Sequence, residues 1–251
     1  MNELYKIALN AANLGFEIAS KYLIDAVVIS NQVKDIKTEA DMSINSAIID
    51  FLQTTGIPIL SEENISSNYN LSSPCWIIDP LDGTYNFTRK FPFSSISISL
   101  WENNEPVIGI VKNLFDGKTY SANYSDGAYL DGKQIKVSRV NKISNAILAT
   151  GFPSGLNYST ENLSQIVSFI QNFKKVRAIG SASLMLCNVA SGIFDVYYEK
   201  DIYLWDVTAG LAILKEAGGM YSLKRKPNSF KCEVLATNEF IFNETIKELI
   251  H

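Results

Sequence analysis

The chain has 251 residues, of which 47% are hydrophobic and 19% are charged, and its formal net charge is −4. This much apolar material supports a large buried core and excludes a disordered or low-complexity chain. The acidic balance, with no basic run longer than Lys224-Arg225-Lys226, argues against general binding to nucleic acid. The apolar runs are too short to cross a membrane and the N-terminus does not resemble a signal peptide, so we expect neither a membrane nor a secreted location.

The cysteines and the histidine narrow the possible chemistry. Cys75, Cys187 and Cys232 are odd in number and widely spaced, which is typical of reduced thiols in a cytoplasmic protein. The single histidine is His251, the last residue, so Ser-His-Asp triads, Cys-His dyads and His-rich zinc sites are excluded. Catalysis must therefore come from carboxylates, hydroxyls, lysines, backbone dipoles and hard metal ions.

The predicted elements begin with an amphipathic helix over residues 3–22, where apolar residues recur every three or four positions. A polar stretch, residues 30–37, separates this helix from a second helix that begins near Thr38 and runs to Phe51. The spacing Thr38-x-x-Asp41 predicts a capping interaction at the start of the second helix.

Strands predominate in the middle of the chain and alternate with helices afterwards. Short strands are predicted over residues 57–60 and 75–78, and residues 93–100 alternate Ile or Leu with Ser, which is the period of a strand. The later predictions are strands over residues 107–111, 118–122, 128–130, 146–149, 175–179, 194–198, 219–222 and 233–236, and helices over residues 160–173, 181–190, 204–216 and from 239 onward. We therefore predict one integrated α/β unit with a meander-rich central sheet and two halves, residues 1–140 and 141–251.

Carboxylates follow both of the short predicted strands. Glu62 and Glu63 come after the first strand, and Asp79 and Asp82 come after the second. Ligands in layered α/β folds bind outside the carboxyl ends of strands, and acidic side chains crowded there repel one another unless a cation lies between them. Asp79 and Asp82, with the backbone carbonyl of Leu81 between them, form a set of hard oxygen donors that suits Mg²⁺.

The residues after Asp82 suit an anion. Gly83 permits a tight turn, and Gly83 and Thr84 offer backbone N–H groups like those at a helix N-terminus. Adjacent sites for a cation and an anion are what phosphate-ester chemistry requires. The alternative interpretation is a solvated acidic turn, because Asp and Gly are common turn formers.

Several strings of residues extend this pattern along the chain. The first is Trp76-Ile77-Ile78-Asp79-Pro80-Leu81-Asp82-Gly83-Thr84-Tyr85-Asn86-Phe87, and the second is Leu204-Trp205-Asp206-Val207-Thr208-Ala209-Gly210, followed by Glu216-Ala217-Gly218-Gly219. Shorter segments of the same kind are Thr38-Glu39-Ala40-Asp41, Ser61-Glu62-Glu63-Asn64, Thr150-Gly151-Phe152-Pro153 and Gly180-Ser181-Ala182. In these motifs and in their order, the chain resembles the inositol monophosphatase family, within the wider lithium-sensitive sugar-phosphatase group.

The resemblance implies a fold, an activity and a set of site residues. The implied fold is an alternating α-β-α-β-α sandwich. The implied activity is that of a Mg²⁺-dependent phosphomonoesterase. It would bind two Mg²⁺ ions, or three when a weaker third site is also occupied. The implied metal ligands are Glu62, Asp79, the Leu81 carbonyl, Asp82 and Asp206. Thr84 and Glu62 would orient the attacking water, and Asp41 would support Thr84 and the third metal. The residues implied to face the phosphate or the substrate alcohol are Gly83, Thr84, Gly180, Ser181, Ala182, Glu199 and Asp206.

The resemblance also limits the substrates and partners. It implies a small polyol or sugar phosphate, first of all inositol 1-phosphate, and a homodimer. Within the group the alternative substrates are fructose 1,6-bisphosphate, histidinol phosphate and 3'-phosphoadenosine phosphate. The sequence at residues 148–153 differs from that of the relatives that cleave 3'-phosphoadenosine phosphate, and this disfavours the nucleotide. An alternative of another class is a non-catalytic regulator that binds metal or phosphate. For Glu199 alone, the alternative is a surface acid at the end of a strand.

The chain departs from the family pattern at two places. Ser61 stands where the family usually has glycine before the Glu pair. The segment before Asp41 is shorter than in the animal enzymes, which leaves open whether Lys34 or Lys37 replaces their active-site lysine and puts the affinity of the third metal in doubt.

A second phosphatase motif needs consideration. Phosphatases of the haloacid dehalogenase type use Asp-x-Asp-Gly-Thr after an apolar strand, and Leu81-Asp82-Gly83-Thr84 follows such a strand here. Their nucleophile lies two residues before the second Asp, where this chain has Pro80. Proline cannot form an aspartyl-phosphate, so this mechanism is disfavoured.

Overall fold

The computed structural model describes residues 2–23, 28–32, 35–64, 71–152 and 158–250. Its helices are α1 (Asn2–Tyr22), α2 (Glu39–Leu52), α3 (Thr84–Thr88), α4 (Thr160–Ile170), α5 (Ala182–Ala190), α6 (Leu204–Glu216) and α7 (Phe242–Ile250). Its strands are β1 (Val28–Gln32), β2 (Asp35–Thr38), β3 (Ile59–Ser61), β4 (Cys75–Asp82), β5 (Ser95–Glu102), β6 (Glu105–Asn113), β7 (Thr119–Asn123), β8 (Gly127–Leu130), β9 (Lys133–Gln134), β10 (Ile147–Thr150), β11 (Lys175–Arg177), β12 (Val196–Tyr203), β13 (Gly219–Arg225) and β14 (Lys231–Asn238). Residues 53–55 and 143–145 form short 3₁₀ turns.

A seven-stranded sheet in the order β3-β4-β5-β6-β7-β8-β9 forms the first sheet layer. From β4 to β9 every neighbouring pair is antiparallel, so the predicted meander is confirmed. Helices α1 and α2 cover one face of this sheet, where buried side chains of both helices pack against Ile96 and Ile98 of β5. The periodicity that predicted two amphipathic helices therefore marks the sides that they bury against β5.

A five-stranded sheet in the order β11-β10-β12-β14-β13 forms the second sheet layer. Helices α5 and α6 lie between the two sheets, because their buried side chains pack with Val111 of β6 on one side and with Tyr197 and Val234 on the other. Gly109 permits the close approach of α6 to β6, since a Cβ there would lie 2.3 Å from the carbonyl oxygen of Ala209.

The outer face of the second sheet is covered by a further helical layer. Phe169 of α4 and Phe242 of α7 pack there against side chains of β10 and β12. The order of layers is thus α, β, α, β, α, as the resemblance implied. The described residues contain no helix that is long and apolar enough to cross a membrane.

The serine face of β5 has an unexpected environment. Ser95, Ser97 and Ser99 alternate with the apolar residues, but they are as fully buried as those residues. Each serine hydroxyl bonds to the α5–α6 layer or to the neighbouring strand. The alternation in sequence therefore distinguishes two buried faces, one apolar and one made of hydroxyls.

Strand β4 is longer than predicted. It continues to Asp82, so Asp79 and Asp82 lie within the strand rather than in a turn after it. Its pairing with β5 is irregular between Asp79 and Asp82. Pro80 falls in this interruption, where its missing N–H costs no ladder hydrogen bond.

The polar stretch before α2 was interpreted without secondary structure, and this was wrong. Strands β1 and β2 lie in this stretch and pair antiparallel. Polar residues without alternation gave no strand signal there. Most other bounds moved by one to three residues, as the ends of elements commonly do: β3, β5 and α7 begin later than predicted, and α4 and β11 end earlier. Strand β12 ends at Tyr203, five residues later than predicted.

Candidate active site

The carboxylates predicted to bind metal converge from three elements. Glu62 directly follows β3, Asp79 lies in β4, and Asp206 lies in the first turn of α6. One carboxylate oxygen of each of these three residues lies within 4.8 Å of the others. Such a cluster of oxygen donors fits a hard divalent cation, because Mg²⁺ prefers carboxylate ligands.

Backbone N–H groups fix the orientation of two of these carboxylates. The N–H of Leu81 donates to Asp79 Oδ1 at 2.9 Å, within the irregular part of β4. The N–H of Tyr203 donates to Asp206 Oδ2 at 3.0 Å, as part of the cap of α6. Asp79 is only 1% exposed, so the solvated acidic turn is excluded as the interpretation of this motif.

Burial and mutual repulsion raise the pKa of every carboxyl group in the cluster. The pKa of Glu62 rises to about 8, first through desolvation and then through the charge of Glu63. Desolvation also raises the pKa of Asp79 and of Asp206 well above its ordinary value, and for both the charge of Glu62 adds to the effect. A bound cation would reverse this effect, because an opposite charge favours the ionised form.

Asp82 is oriented differently from the other predicted ligands. Its Oδ2 accepts hydrogen bonds from the Ser181 hydroxyl at 2.7 Å and from the Ser183 N–H at 2.9 Å, and the Ser183 hydroxyl also donates to it. Its Oδ1 accepts a longer bond of 3.3 Å from the Ala182 N–H. Asp82 therefore connects β4 to the first turn of α5, and it is not among the three residues whose oxygens lie closest together.

Thr84 and Asp41 meet beside the cluster. The Thr84 hydroxyl lies 3.0 Å from Asp41 Oδ1 and 3.0 Å from the Leu81 carbonyl oxygen, so either can accept its hydrogen. Asp41 Oδ2 accepts bonds from both the N–H and the hydroxyl of Thr38, and this confirms the predicted capping interaction. The Leu81 carbonyl oxygen, an implied metal ligand, thus also has the Thr84 hydroxyl as a neighbour.

The turn at Gly83 can accommodate only a residue without a side chain. Its φ of +84° lies in the left-handed region, and a Cβ would lie 2.9 Å from the Gly180 carbonyl oxygen. Asn86 ties the same two segments together, since its side-chain amide donates to the carbonyl oxygens of Phe93 at 2.8 Å and Ile179 at 2.7 Å. Gly83 and Gly180 are thus brought together by backbone contact.

Glu199 lies inside the protein and is not a surface acid. It is 6% exposed, and its carboxylate accepts a 2.8 Å hydrogen bond from the Tyr197 hydroxyl. Desolvation raises the pKa of Glu199 to about 8, against the effect of that hydrogen bond. Gly151 lies against it, because a Cβ on Gly151 would be 2.5 Å from both carboxylate oxygens.

Both departures from the family pattern have structural counterparts. The Ser61 hydroxyl donates to Asn45 Oδ1 at 2.6 Å in the core. Lys37 Nζ lies 2.7 Å from Glu63 Oε2, so its charge is close to the acidic cluster. Lys34 and Pro153 lie outside the described residues.

Sequence reasoning missed three side chains that contact the predicted site residues. These are Ser183 on Asp82, Tyr197 on Glu199 and Asn86 at Gly180. Asn86 stands within the first quoted motif and Ser183 directly follows Gly180-Ser181-Ala182, so their position could have drawn attention to them. Tyr197 stands in no quoted motif, and the contact of Ser183 with Asp82 joins residues 101 positions apart, so local spacing did not reveal it.

The chain is similar to known proteins over most of its length. The model of the inositol monophosphatase family matches residues 1–250. The chain is 34% identical to inositol monophosphatase 2 of Solanum lycopersicum over 230 residues, which covers 88% of this chain and 87% of that protein. A protein of Aquifex aeolicus named fructose-1,6-bisphosphatase/inositol-1-monophosphatase is 40% identical to this chain over 159 residues. The match covers 61% of this chain and 58% of that protein.

A solved structure of an inositol monophosphatase from Anabaena superposes with a TM-score of 0.84 at 28% identity, covering 99% of this chain and 96% of that one. The family model and this structure both match nearly the full length of the chain. The chain therefore belongs to the inositol monophosphatase family of metal-dependent phosphatases.

Proposed function

We propose that this phosphatase hydrolyses a small polyol or sugar phosphate, with inositol 1-phosphate as the first candidate, in a Mg²⁺-dependent reaction with direct attack by water. The observation that carries the proposal is the convergence of Glu62, Asp79 and Asp206 within 4.8 Å, beside the turn at Gly83 and Thr84. Acidic groups at this density favour a divalent cation, and the turn gives an anion a place next to it.

Glu62, Asp79 and Asp206 would hold the metal, together with Asp82 and the Leu81 carbonyl at the edge of the cluster. Mg²⁺ bound there supplies positive charge to the phosphate oxygens, lowers the pKa of water and stabilises the leaving alkoxide. The chain itself supplies the orientation, through the N–H groups that fix Asp79 and Asp206.

Thr84 is the residue we assign to directing the attacking water. When its hydroxyl donates to Asp41, its lone pairs remain to accept a hydrogen from water. Glu62 would hold the same water from the side of the cluster. The N–H groups of Gly83 and Thr84 would bind the phosphate.

The leaving alcohol would lie against the second half of the molecule. It would contact Gly180, Ser181 and Ala182 at the start of α5 and Glu199 in β12. The buried carboxyl of Glu199 is a hydrogen-bond partner suited to a polyol. An aryl or alkyl phosphate offers no hydroxyl groups to this side. This asymmetry supports a hydroxylated substrate.

The proposal is tested with a panel of phosphate esters after dialysis against a chelator. We expect no turnover without metal, recovery with Mg²⁺, and the highest kcat/KM for inositol 1-phosphate among that compound, fructose 1,6-bisphosphate, histidinol phosphate and 3'-phosphoadenosine phosphate. Asp79→Asn should bind Mg²⁺ more weakly. Glu216→Gln serves as the control, because Glu216 is the last residue of α6 and accepts hydrogen bonds from the N–H groups of Ser125 and Gly127 in the β7–β8 turn. Full turnover in chelator would contradict the metal-dependent mechanism, and no turnover of any ester would favour the non-catalytic regulator.

A homodimer and a cytoplasmic location remain predictions. The three cysteines are free and buried, which agrees with the expected thiols but does not identify a compartment. Light scattering during size-exclusion chromatography would test the dimer, with a mass near one chain contradicting it.

A further inference from the structure

Two buried serines form a chain of hydroxyls that ends on Asp82. Ser95 of β5 and Ser183 of α5 have their hydroxyl oxygens 2.7 Å apart, and the Ser183 hydroxyl donates to Asp82 Oδ2. Ser95 and Ser183 are 0% exposed, and Asp82 is 7% exposed. These hydrogen bonds thus connect β5 of the first sheet to α5 of the middle helical layer. They end at Asp82, a residue of the candidate metal site.

The direction of these bonds follows from counting hydrogens. The Ser183 hydroxyl carries a single hydrogen, and it gives that hydrogen to Asp82. Ser95 must therefore be the donor in its bond to Ser183. The series runs one way, from Ser95 through Ser183 to Asp82, and such a chain strengthens its terminal bond by polarisation.

The two oxygens of Asp82 are used unequally. Oδ2 receives three donors, from the Ser181 hydroxyl and from the N–H and hydroxyl of Ser183. Among the described residues, Oδ1 receives one bond, which at 3.3 Å is the longest of the set. A carboxylate oxygen has about two lone pairs, so Oδ2 is saturated and Oδ1 keeps room for another ligand.

We propose that Ser183 and Ser95 are positioning residues that hold Asp82 in one rotamer, with Oδ2 occupied and Oδ1 left to ligate the cation. This inference rests on the proposed function, since it assumes that a metal binds beside Asp82. Hydrogen-bond partners of metal ligands commonly set the orientation of the ligand and so its affinity for the metal. Neither serine touches the substrate in this assignment.

The same strand provides a matched control. Ser99 of β5 is also 0% exposed, and its hydroxyl donates to Thr208 of α6 at 2.7 Å. The two serine pairs have the same length, burial and type of partner, but the pair of Ser99 does not lead to a carboxylate. A purely structural role would make Ser95→Ala and Ser99→Ala equivalent.

The experiment measures Mg²⁺ binding by titration calorimetry on the full chain without substrate, together with the unfolding temperature in chelator. Ser183→Ala should weaken Mg²⁺ binding by about tenfold or more, the usual cost of losing such a partner. Ser95→Ala should weaken it less, and the double variant should match Ser183→Ala because the serines act in series. Ser99→Ala should keep the wild-type affinity, even if all four variants unfold at lower temperature.

The outcomes separate the two levels of the proposal. If the wild type binds no Mg²⁺, the proposed function and this inference both fail. If the wild type binds Mg²⁺ and Ser183→Ala binds it equally well, the positioning role alone is overturned, and equal weakening by Ser95→Ala and Ser99→Ala overturns it as well. Should Ser183→Ala not fold, Ser95→Ala against Ser99→Ala still decides.

Discussion

The hydroxyl of Thr84 lies 3.0 Å from Asp41 Oδ1, although 43 positions separate the two residues in sequence. Thr84 is the first residue of α3, and Asp41 lies in the first turn of α2. Asp41 is itself held by Thr38, so the orientation of the Thr84 hydroxyl depends on how α2 begins. The starts of two helices thus share one hydrogen bond.

Thr84→Ala should lower kcat by about 10²-fold or more, a typical scale for losing positioned proton transfer. Asp41→Asn should have a similar effect, because it disturbs the acceptor of the same hydrogen. The double variant should be little worse than either single variant, since residues that act as a unit give non-additive losses. The measurement is kcat for the wild type and the three variants at saturating substrate.

A Mg²⁺ titration of the same variants supplies the control. The half-saturation concentration should change little in Thr84→Ala and rise strongly in Asp79→Asn, which loses a ligand charge. Near-native kcat in Thr84→Ala, or fully additive losses in the double variant, would show that this pair does not direct the water.

Gly151→Ala should reproduce the phenotype of Glu199→Gln. The new Cβ would lie 2.5 Å from both oxygens of Glu199, so the carboxylate must move. Both variants should raise KM for a polyol phosphate and leave the hydrolysis of an aryl phosphate nearly unchanged, because only the polyol offers hydroxyls to Glu199. Steady-state kinetics on the two substrates is the test.

The adjacent pair of Tyr198 and Glu233 gives the control for that experiment. The Tyr198 hydroxyl donates to Glu233 at 2.9 Å, which resembles the pair of Tyr197 and Glu199 at 2.8 Å. Glu233→Gln should leave KM for both substrates as in the wild type. Equal losses on both substrates in Glu199→Gln would mean that Glu199 has a structural role.

Stability without metal should decrease as the pH rises. Burial raises the pKa of Glu199 from 4.5 to about 8, so the folded state holds this proton more tightly than the unfolded state does. Its contribution to the free energy of unfolding is fully present below pH 4.5 and is lost as the pH rises towards about 8. Glu199→Gln has no such proton, so its unfolding temperature in chelator should fall less steeply over this range.

The comparison with Glu199→Gln isolates this group, because Glu62 titrates in the same range in both proteins. Mg²⁺ should reduce the part of the pH dependence of stability that comes from Glu62, because a cation favours the ionised form of its carboxyl group. Parallel curves of unfolding temperature against pH for the wild type and Glu199→Gln would contradict the raised pKa of Glu199.

Lithium should inhibit the enzyme at millimolar concentrations. A small hard cation can occupy a position among Glu62, Asp79 and Asp206 without the second charge of Mg²⁺. The measurement is the rate at fixed Mg²⁺ with increasing LiCl, against NaCl at the same ionic strength. An equal response to the two salts would contradict this prediction.

The sequence was most informative where one chain segment contains a complete pattern. The capping interaction of Thr38 and Asp41 depends on residues three positions apart, and it forms as predicted. The helices and the meander follow from local periodicity in the same way. The polar hairpin of β1 and β2 was missed, because its pairing leaves no apolar alternation to detect.

The tertiary structure decides the environment of each site residue. The sequence brought Asp79 and Asp82 together as one acidic motif, but burial in β4 and the approach of α5 direct Asp82 towards Ser183. The sequence also allowed two interpretations of Glu199, a substrate contact or a surface acid. The packing of β12 against Gly151 buries its carboxylate. The sequence by itself determined the acidic motifs, because these depend on residue type and spacing, and the resemblance that they carry implied the family and its layer order. Which oxygen of a carboxylate is occupied, and by which donor, depends on contacts between segments as far as 101 positions apart, and folding alone decides them.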